Sequence, residues 1–417
     1  MAGVLSGIKV LDLSRILAGP WCTQLLADLG ADVVKIERPG TGDDTRAWGP
    51  PFAEGSDGAP GAESAYFLAA NRGKRSVAVD FSTATGQEIV RTLAKSADVV
   101  VENLKYGDMQ RYGLDYESLR ILNPGLIYCS ITGFGQTGPY RERAGYDFVI
   151  QAMGGLMSIT GESDDMPGGG PQKCGVPIAD MMTGMYATVA ILGALHERQT
   201  SNEGQYIDMS LLDTQVGWLA NHGLNYMVSG KPARRWGNAH PNLCPYQSFP
   251  TGDDHLIVAV GNDRQFRALC RVLSMPSVGT DSRFATNSAR LTNRESLVGQ
   301  IEQCLRTKGR DEWLSALEEA AVPAGPINTV AQALEEPHVV SRGMVFSMEH
   351  GMGVSVPQIA NPIKFSRTGI EYRRPPPMLG EHTSEILESI GLTQRNLEEL
   401  RASGVIHARD RYPIDAG

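Results

Sequence analysis

No cysteine pair in this 417-residue chain has the spacing of a metal site or a redox motif. Cys22, Cys129, Cys174, Cys244, Cys270 and Cys304 stand far apart, with no C-x-x-C and no Cys/His cluster, so they read as small core hydrophobes in a reducing cytoplasm. Cys174 has no histidine nearby to support a reactive thiol. Basic runs are also missing. Lys and Arg are scattered, the net charge is −9 and the pI is near 5.5, which argues against a nucleic-acid partner. Met1 to Gly7 has neither the basic nor the apolar region of a signal peptide. The longest apolar stretch, about residues 178–195, is broken by Asp180, Thr183 and Gly184 and reads as short for a membrane span, so a soluble cytoplasmic protein with no membrane partner is expected. The first strand-to-helix loop, from Ser14 to Pro20, lacks G-x-G-x-x-G, so a nicotinamide or flavin dinucleotide is not indicated. There is no internal repeat and no low-complexity tail.

What is present is an alternation of strand and helix patterns. Residues 8–13 read as a buried strand, Ala18-Gly-Pro20 opens a helix stopped by Gly30, and residues 33–36 form the next strand of a parallel βαβ unit. A polar, Gly/Pro-rich stretch carrying Asp43, Asp44, Arg46 and Trp48 then runs to about Gly61, long enough to suggest function. Strands follow at 76–80, 98–102 and 126–131, with Thr83 or Thr85 capping the helix to Lys95. Open α/β sheets bind ligands at the carboxyl ends of their strands, where Asn103, Thr132 to Gly135 and Tyr146-Asp147 fall. A further strand at 204–209 leads to a helix capped by Ser210 and reaching about Val228. After this the texture changes. The expected organisation is residues 1–228 as a large α/β domain, 229–328 as a smaller inserted domain and 329–417 as a segment returning to the first.

The central stretch is Cys174-Gly-Val-Pro-Ile-Ala-Asp180-Met-Met-Thr-Gly-Met-Tyr186, preceded by Gly168-Gly169-Gly170. It sets one carboxylate at the mouth of an apolar helix. Asp180 is either a first-turn residue complementing orphan N–H groups and the helix dipole, or a carboxylate nucleophile in a semi-dry setting.

The order of motifs along the chain resembles family III coenzyme A transferases (the CaiB/BaiF family), a group that also contains 2-methylacyl-CoA racemases. The matching stretches are residues 8–13 with Ala18-Gly-Pro20, Gly30 to Gly40, Asn71-Arg-Gly-Lys-Arg-Ser76, Asp98 to Asn103, Gly175 to Tyr186, Gly237-Asn-Ala-His-Pro241 and Leu379-Gly-Glu-His-Thr383. The resemblance implies a Rossmann-like large domain, a smaller inserted α/β domain and an interlocked homodimer. It makes Asp180 the nucleophile, which holds first an acyl group as an anhydride and then CoA as a thioester, with no metal and no tightly bound cofactor; the coenzyme A thioester is itself a substrate. It places Arg38, Lys74, Arg75, Asn103, Arg111 and Tyr146 near CoA, and gives the Gly168 and Gly237 segments as candidate oxyanion donors or covers. Leu17 and Ala144 depart from the formyl-CoA transferase pattern, which speaks against formate and oxalate. Residues 234–246 look most like the branch using succinyl-CoA and small dicarboxylates. Arg15 or Arg46 would then meet a distal carboxylate, with Trp48, Gly237, Asn238 and His240 as further substrate-site candidates; Trp48 either lines the acid pocket or packs, and His240 either orients substrate or orders its loop. The alternative is a racemase, but that branch has a His-Asp dipeptide where this chain has Tyr146-Asp147.

Overall fold

The structure, a computed structural model, describes residues 3–55 and 63–409. Residues 56–61, the end of the long polar stretch, lie outside the described residues. The chain forms two units by internal contacts. One comprises the chain up to Gly155, Cys174–Ala220 and the chain from His338 onward; the other comprises Leu156–Lys173 and Asn221–Pro337. The units therefore change over at 220/221 and 337/338, against 228/229 and 328/329 expected from sequence. Leu156–Lys173 belongs to the second unit through contacts such as the Gly237 N–H donated to the Gly161 carbonyl at 3.1 Å and the ion pair of Arg235 with Asp164.

The first unit begins with β1 (Lys9–Asp12), α1 (Ala18–Asp28) and β2 (Asp32–Glu37), followed by α2 (Ala65–Ala70), β3 (Lys74–Val79), α3 (Ala84–Ala94), β4 (Val99–Glu102) and β5 (Ile127–Thr132). Then come α4 (Asp147–Met153), α5 (Ile178–Ser201), β6 (Tyr206–Ser210) and α6 (Leu211–Gly217). The second unit takes in α7 (Ala220–Ser229) from its second residue on, then β7 (Tyr246–Pro250), β8 (His255–Ala259), α8 (Asp263–Val272), α9 (Arg294–Leu305), α10 (Arg310–Glu319) and β9 (Ala324–Pro326). The chain ends with the hairpin β10 (Val345–His350) and β11 (Val354–Ile359), then α11 (Thr383–Ser389), α12 (Gln394–Ala402) and β12 (Ile406–His407).

The large sheet has the order β12-β3-β2-β1-β4-β5-β6, parallel except for the last short strand, which runs antiparallel to β3. Its inner strands β1, β4 and β5 are buried on both faces, as parallel sheets require, while the edge strand β6 is partly exposed. Val99 and Val101 join Val10, Ile127 and Cys129 beneath Cys22, Leu26, Ala187 and Ile191. Val100 and Tyr128 join Leu11 and Val77 on the other face, against Ile89, Val90, Leu387 and Leu397. The strand order reverses between β1 and β4, and such a switch point opens a crevice beyond the carboxyl ends of those two strands.

Local signals explain most element ends. Thr83, rather than Thr85, caps α3 by accepting the Gly86 N–H at 3.0 Å, and Ser210 caps α6 through the Asp213 N–H at 3.1 Å. The single helix expected from Ser210 to Val228 is two, because the chain turns at Trp218 and Leu219 and Ala220 takes a left-handed φ of 45°. Helix α5 runs for 24 residues, ends at Asn202 with φ 59°, and extends the apolar stretch by a polar last turn and a half, from His196 to Ser201. Its length and hydropathy alone would suit a membrane span, yet Ala179, Thr183, Ala187, Ile191 and Ala194 are buried in the packing of this unit, which marks it as a core helix.

In the second unit, β9-β8-β7 form a small antiparallel sheet. Phe249, Leu256 and Val258 from that sheet pack with Phe266, Leu269, Leu297, Ile301 and Trp313 from α8, α9 and α10.

Candidate active site

At the switch point, Ser14–Leu17 follows β1 and Asn103–Lys105 follows β4. Asn103 holds the Arg15 peptide from both sides, its Oδ1 accepting the Arg15 N–H at 2.8 Å and its Nδ2 donating to the Arg15 carbonyl at 2.6 Å. The turn is fixed from below as well. The buried Lys35 ammonium pairs with Asp43 at 2.9 Å and donates to the Ser14 carbonyl at 2.7 Å, while both Asp43 oxygens accept the Ile16 N–H at 3.2 Å. Ile16 is β-branched at φ 70°, a conformation that persists only when its surroundings enforce it.

Two cavities meet here and share Arg15, Leu104 and Lys105. One, of about 270 Å³, sits over the ends of β1, β2 and β3 and is lined by Ile36, Arg38, Phe81 and Tyr112 among others. The other, of about 120 Å³, runs past Leu17, Asn103, Ala144 and Tyr146 to Asp180. Together they make a cleft that begins with apolar and cationic groups and ends at a carboxylate.

Asp180 is the third residue of α5 and half-buried. Among the described residues no hydrogen bond or ion pair is made by its carboxylate. The helix N–H groups go instead to Asp147, whose Oδ1 accepts those of Ala179 at 2.8 Å and Asp180 at 3.2 Å. Asp180 is therefore not the cap of its own helix. Burial, with the Asp147 charge added, pushes its carboxyl up to about 7. Tyr66 stands near both: burial and the charges of Asp180, Asp147 and Asp43 push its phenol up to about 12. Its ring meets Trp48 edge to face, with centroids 5.3 Å apart and planes at 75°. Trp48 thus packs on a ring beside Asp180 while remaining 44% exposed.

The remaining sequence candidates fall into three groups. Arg15, Arg38, Asn103 and Tyr146 line the cleft; Arg15 and Arg38 share one counter-ion, Asp44, at 2.7 and 3.0 Å, and Tyr146 is 60% exposed. Arg111 is largely exposed beside the cleft wall, paired with Asp108 at 3.2 Å and bonded to the Tyr112 hydroxyl at 2.6 Å.

A second group is held inside the unit. Lys74 and Arg75 open β3, at the end of the sheet opposite the cleft. Lys74 is fully buried, and its three donors go to Asp12 at 3.1 Å, the Pro20 carbonyl at 3.0 Å and Asn71 at 2.9 Å, leaving none for a phosphate. Burial pulls the Lys74 ammonium down to about 8. Arg75 pairs with Asp32 and Glu385. Arg46 grips Glu37 with two hydrogen bonds of 2.8 Å, pairs with Glu63 at 2.5 Å, donates to the Pro377 carbonyl at 3.1 Å and stacks over Phe67. With four of its five N–H groups engaged and its side chain 7% exposed, against 40% for Arg15, Arg46 is held by the fold, so of the two arginines considered for that role Arg15 is the accessible one.

Gly237, Asn238 and His240, with Gly168, lie in the second unit. Gly237 has φ 58° and sits against the Glu162 carboxylate; Asn238 is exposed. His240 accepts the Asn242 N–H at 3.0 Å through Nδ1 and packs on Tyr246 at 5.2 Å, contacts that order its loop.

Sequence reasoning missed Tyr66 and named Asp43 and Asp147 without giving either a role. Tyr66 carries no signal beyond an apolar helix after Ser64, which caps it. Asp147 is marked only as an acidic first-turn residue of a short helix.

Residues 5–383 match a family model described as CoA-transferase family III. The chain is 51% identical over 392 residues to succinate–glutarate CoA-transferase of Agrobacterium fabrum, covering 94% of this chain and 96% of the relative. It is 42% identical over 411 residues to succinyl-CoA:glutarate CoA-transferase of Homo sapiens, covering 98% and 91%. The crystal structure of a CAIB/BAIF family protein from Brucella suis is similar at a TM-score of 0.82 and 50% identity, over 94% of this chain and all of that one.

Proposed function

Because the chain belongs to CoA-transferase family III, we propose that it moves CoA from succinyl-CoA to a small dicarboxylic acid through a covalent intermediate on Asp180. The observation that carries this reading is an unpaired carboxylate, made basic by burial, at the inner end of a cleft that starts at the sheet's switch point. The cleft suits an elongated thioester. Apolar Phe81 and Tyr112 with cationic Arg38 would receive the nucleotide, and the pantetheine arm would pass Asn103 and Tyr146.

In the proposed sequence Asp180 attacks the thioester carbonyl, the C–S bond breaks, and CoA leaves as thiolate with the acyl group held as an anhydride. The thiolate attacks the Asp180 carbonyl and frees the donor acid. The acceptor carboxylate attacks the aspartyl thioester, and the thiolate returns to the acceptor's acyl carbon, regenerating Asp180. Covalent catalysis of this kind divides one difficult exchange into easier ones. Arg15 meets the distal carboxylate. The two relatives act on succinate or succinyl-CoA and glutarate by name, which supports a dicarboxylate acceptor. A racemase reading is not favoured: both named relatives are transferases, and Tyr146 stands where a proton-carrying histidine is needed.

Two copies pair in this proposal, supported by exposed apolar side chains such as Val189 at 63% in the first unit and Met227 and Val228 at 76% and 84% in the second. No disulfide joins the six cysteines, all of them within the described residues, in keeping with a cytoplasmic setting. The test is mass spectrometry after incubation with succinyl-CoA, with and without hydroxylamine, on wild type and Asp180→Ala. A CoA-sized adduct or hydroxamate at Asp180, absent from the variant, is the expected result. Exchange of an α-proton on a 2-methylacyl-CoA without any adduct would replace the transferase reading.

A further inference from the structure

A carboxylate at the third position of a helix ordinarily has two partners. It reaches back to the backbone N–H of the N-cap residue, and it sits among the orphan N–H groups of the first turn. Both stabilise its charged form and lower its basicity. Asp180 occupies that position in α5 and has neither partner.

The first partner is missing because the N-cap residue is Pro177, which carries no N–H. The second is missing because Asp147, the first residue of α4, has taken the donors: a single oxygen, Oδ1, receives the N–H groups of Ala179 and Asp180 at 2.8 and 3.2 Å. The other oxygen of Asp147 is held by Gln151 Nε2 at 2.6 Å, and Gln151 is fixed in turn because its Oε1 accepts the Cys174 N–H at 2.8 Å. Gln151 is completely buried, so this brace between α4 and the segment entering α5 has one geometry. The helix end is thereby satisfied from outside, and its own acidic residue is left over.

The groups facing Asp180 are consistent with this. Asp147 approaches from α4 and Tyr66 from α2; Arg15, Lys105, Arg141, Glu142, Arg143 and Tyr146 line the same cavity, and among the described residues none is ion-paired with Asp180.

We propose that Asp147 is a positioning residue which, together with Pro177, keeps the Asp180 carboxylate free of backbone donors and so preserves its nucleophilicity. This rests on the reading of Asp180 as the nucleophile. Its role differs from that of a substrate contact: Asp147 acts on the reaction only through the ionisation and freedom of Asp180.

The test uses Asp147→Asn, Asp147→Ala and Pro177→Ala in the full-length enzyme. The titration of Asp180 is followed by carboxyl carbon NMR of ¹³C-aspartate-labelled protein, its resonance identified by loss in Asp180→Asn. The pH profile of hydroxylamine-trapped labelling of Asp180 by succinyl-CoA is measured in parallel. Asp147→Asn retains an oxygen for the helix N–H groups but removes a like charge, so the Asp180 titration falls by about one pH unit. Asp147→Ala also releases two N–H donors and moves it further. Pro177→Ala supplies the missing N-cap donor and lowers it too, with the labelling profile displaced to lower pH in each case. Should Asp147→Ala not fold, the other two variants carry the comparison, with thermal midpoints as the check on folding. An unchanged Asp180 titration in folded Asp147→Asn and Pro177→Ala would overturn the proposal while leaving the nucleophile assignment intact. If the titrations move as expected but wild type forms no adduct at Asp180, the nucleophile assignment fails instead, and with it the catalytic meaning of Asp147.

Discussion

Asn103 grips the peptide of Arg15 at both its N–H and its carbonyl, joining residues 88 positions apart across the two strands where the sheet reverses its order. The clamp fixes the floor common to both cavities. Asn103→Ala removes both hydrogen bonds and leaves the Arg15 peptide to water. The expected outcome is a several-fold rise in KM for the acyl-CoA donor with a stability loss of about 1–2 kcal/mol, read from initial rates against donor concentration and from thermal unfolding. An unaltered donor KM would mean that the Ser14–Leu17 turn keeps its shape without the clamp.

Arg46 and Arg15 are expected to separate cleanly. Truncating Arg46 strands Glu37 and Glu63 inside the unit, so Arg46→Ala should cost about 3–5 kcal/mol in unfolding free energy. Arg15→Ala, at a half-exposed pair with Asp44, should leave the melting temperature nearly unchanged and raise KM for the proposed dicarboxylate acceptor, with glutarate as the probe, by roughly tenfold or more, the value of a charge-assisted hydrogen bond. Glutarate kinetics and melting curves on both variants decide it. An Arg46→Ala protein of normal stability with only the acceptor KM raised would reverse the assignment.

Lys74 and Arg38 make a second such pair. Lys74→Met leaves Asp12 buried without its ammonium, so the loss appears in stability. Arg38→Ala is expected to fold normally and weaken acyl-CoA binding, with the difference from wild type shrinking as salt is added because its guanidinium is exposed. Titration of CoA by calorimetry at two ionic strengths measures this directly.

The pH dependence of stability follows from Asp180. Its ordinary carboxyl value is 3.8 and its folded value about 7. Between these, the folded protein holds a proton that the unfolded chain has released, so stability falls as pH rises through that window and the penalty is complete above the folded value. Asp180→Asn carries no such penalty. It should match wild type near pH 3 to 4 and exceed it at about pH 8, by about 4 kcal/mol, while losing transferase activity. Equal stability at both pH values would show that Asp180 is not desolvated as described. The same ionisation predicts that labelling of Asp180 by succinyl-CoA rises with pH through neutrality.

Much of the first unit was legible because its causes are local. Runs such as residues 99–101 must be buried on both faces, Thr83 and Ser210 cap their helices within three residues, and Asp180 can be placed in the first turn of α5 from the apolar pattern that follows it. The alternation of strands and helices foretells a parallel sheet, and its carboxyl ends locate Asn103 and Tyr146 at the cleft.

The fate of the charges was decided only by tertiary structure. Lys74 and Arg46 look in sequence like any cation near a phosphate or a carboxylate, yet Asp12 lies 62 positions from Lys74, and Arg46 also reaches the Pro377 carbonyl, 331 positions away. Trp48 finds its ring partner Tyr66 across residues that follow no helical or strand period. Asp147, 33 positions before Asp180, takes the helix N–H groups that local reasoning would have given to Asp180 itself. Sequence by itself determined which residue types stand at helix ends and strand ends, because backbone periodicity and capping act over a few positions. The pairing of each charge, and hence whether it holds the fold or faces substrate, depended on which distant segments burial brought together, since a buried charge takes its partner from the assembled core and not from its neighbours in the chain.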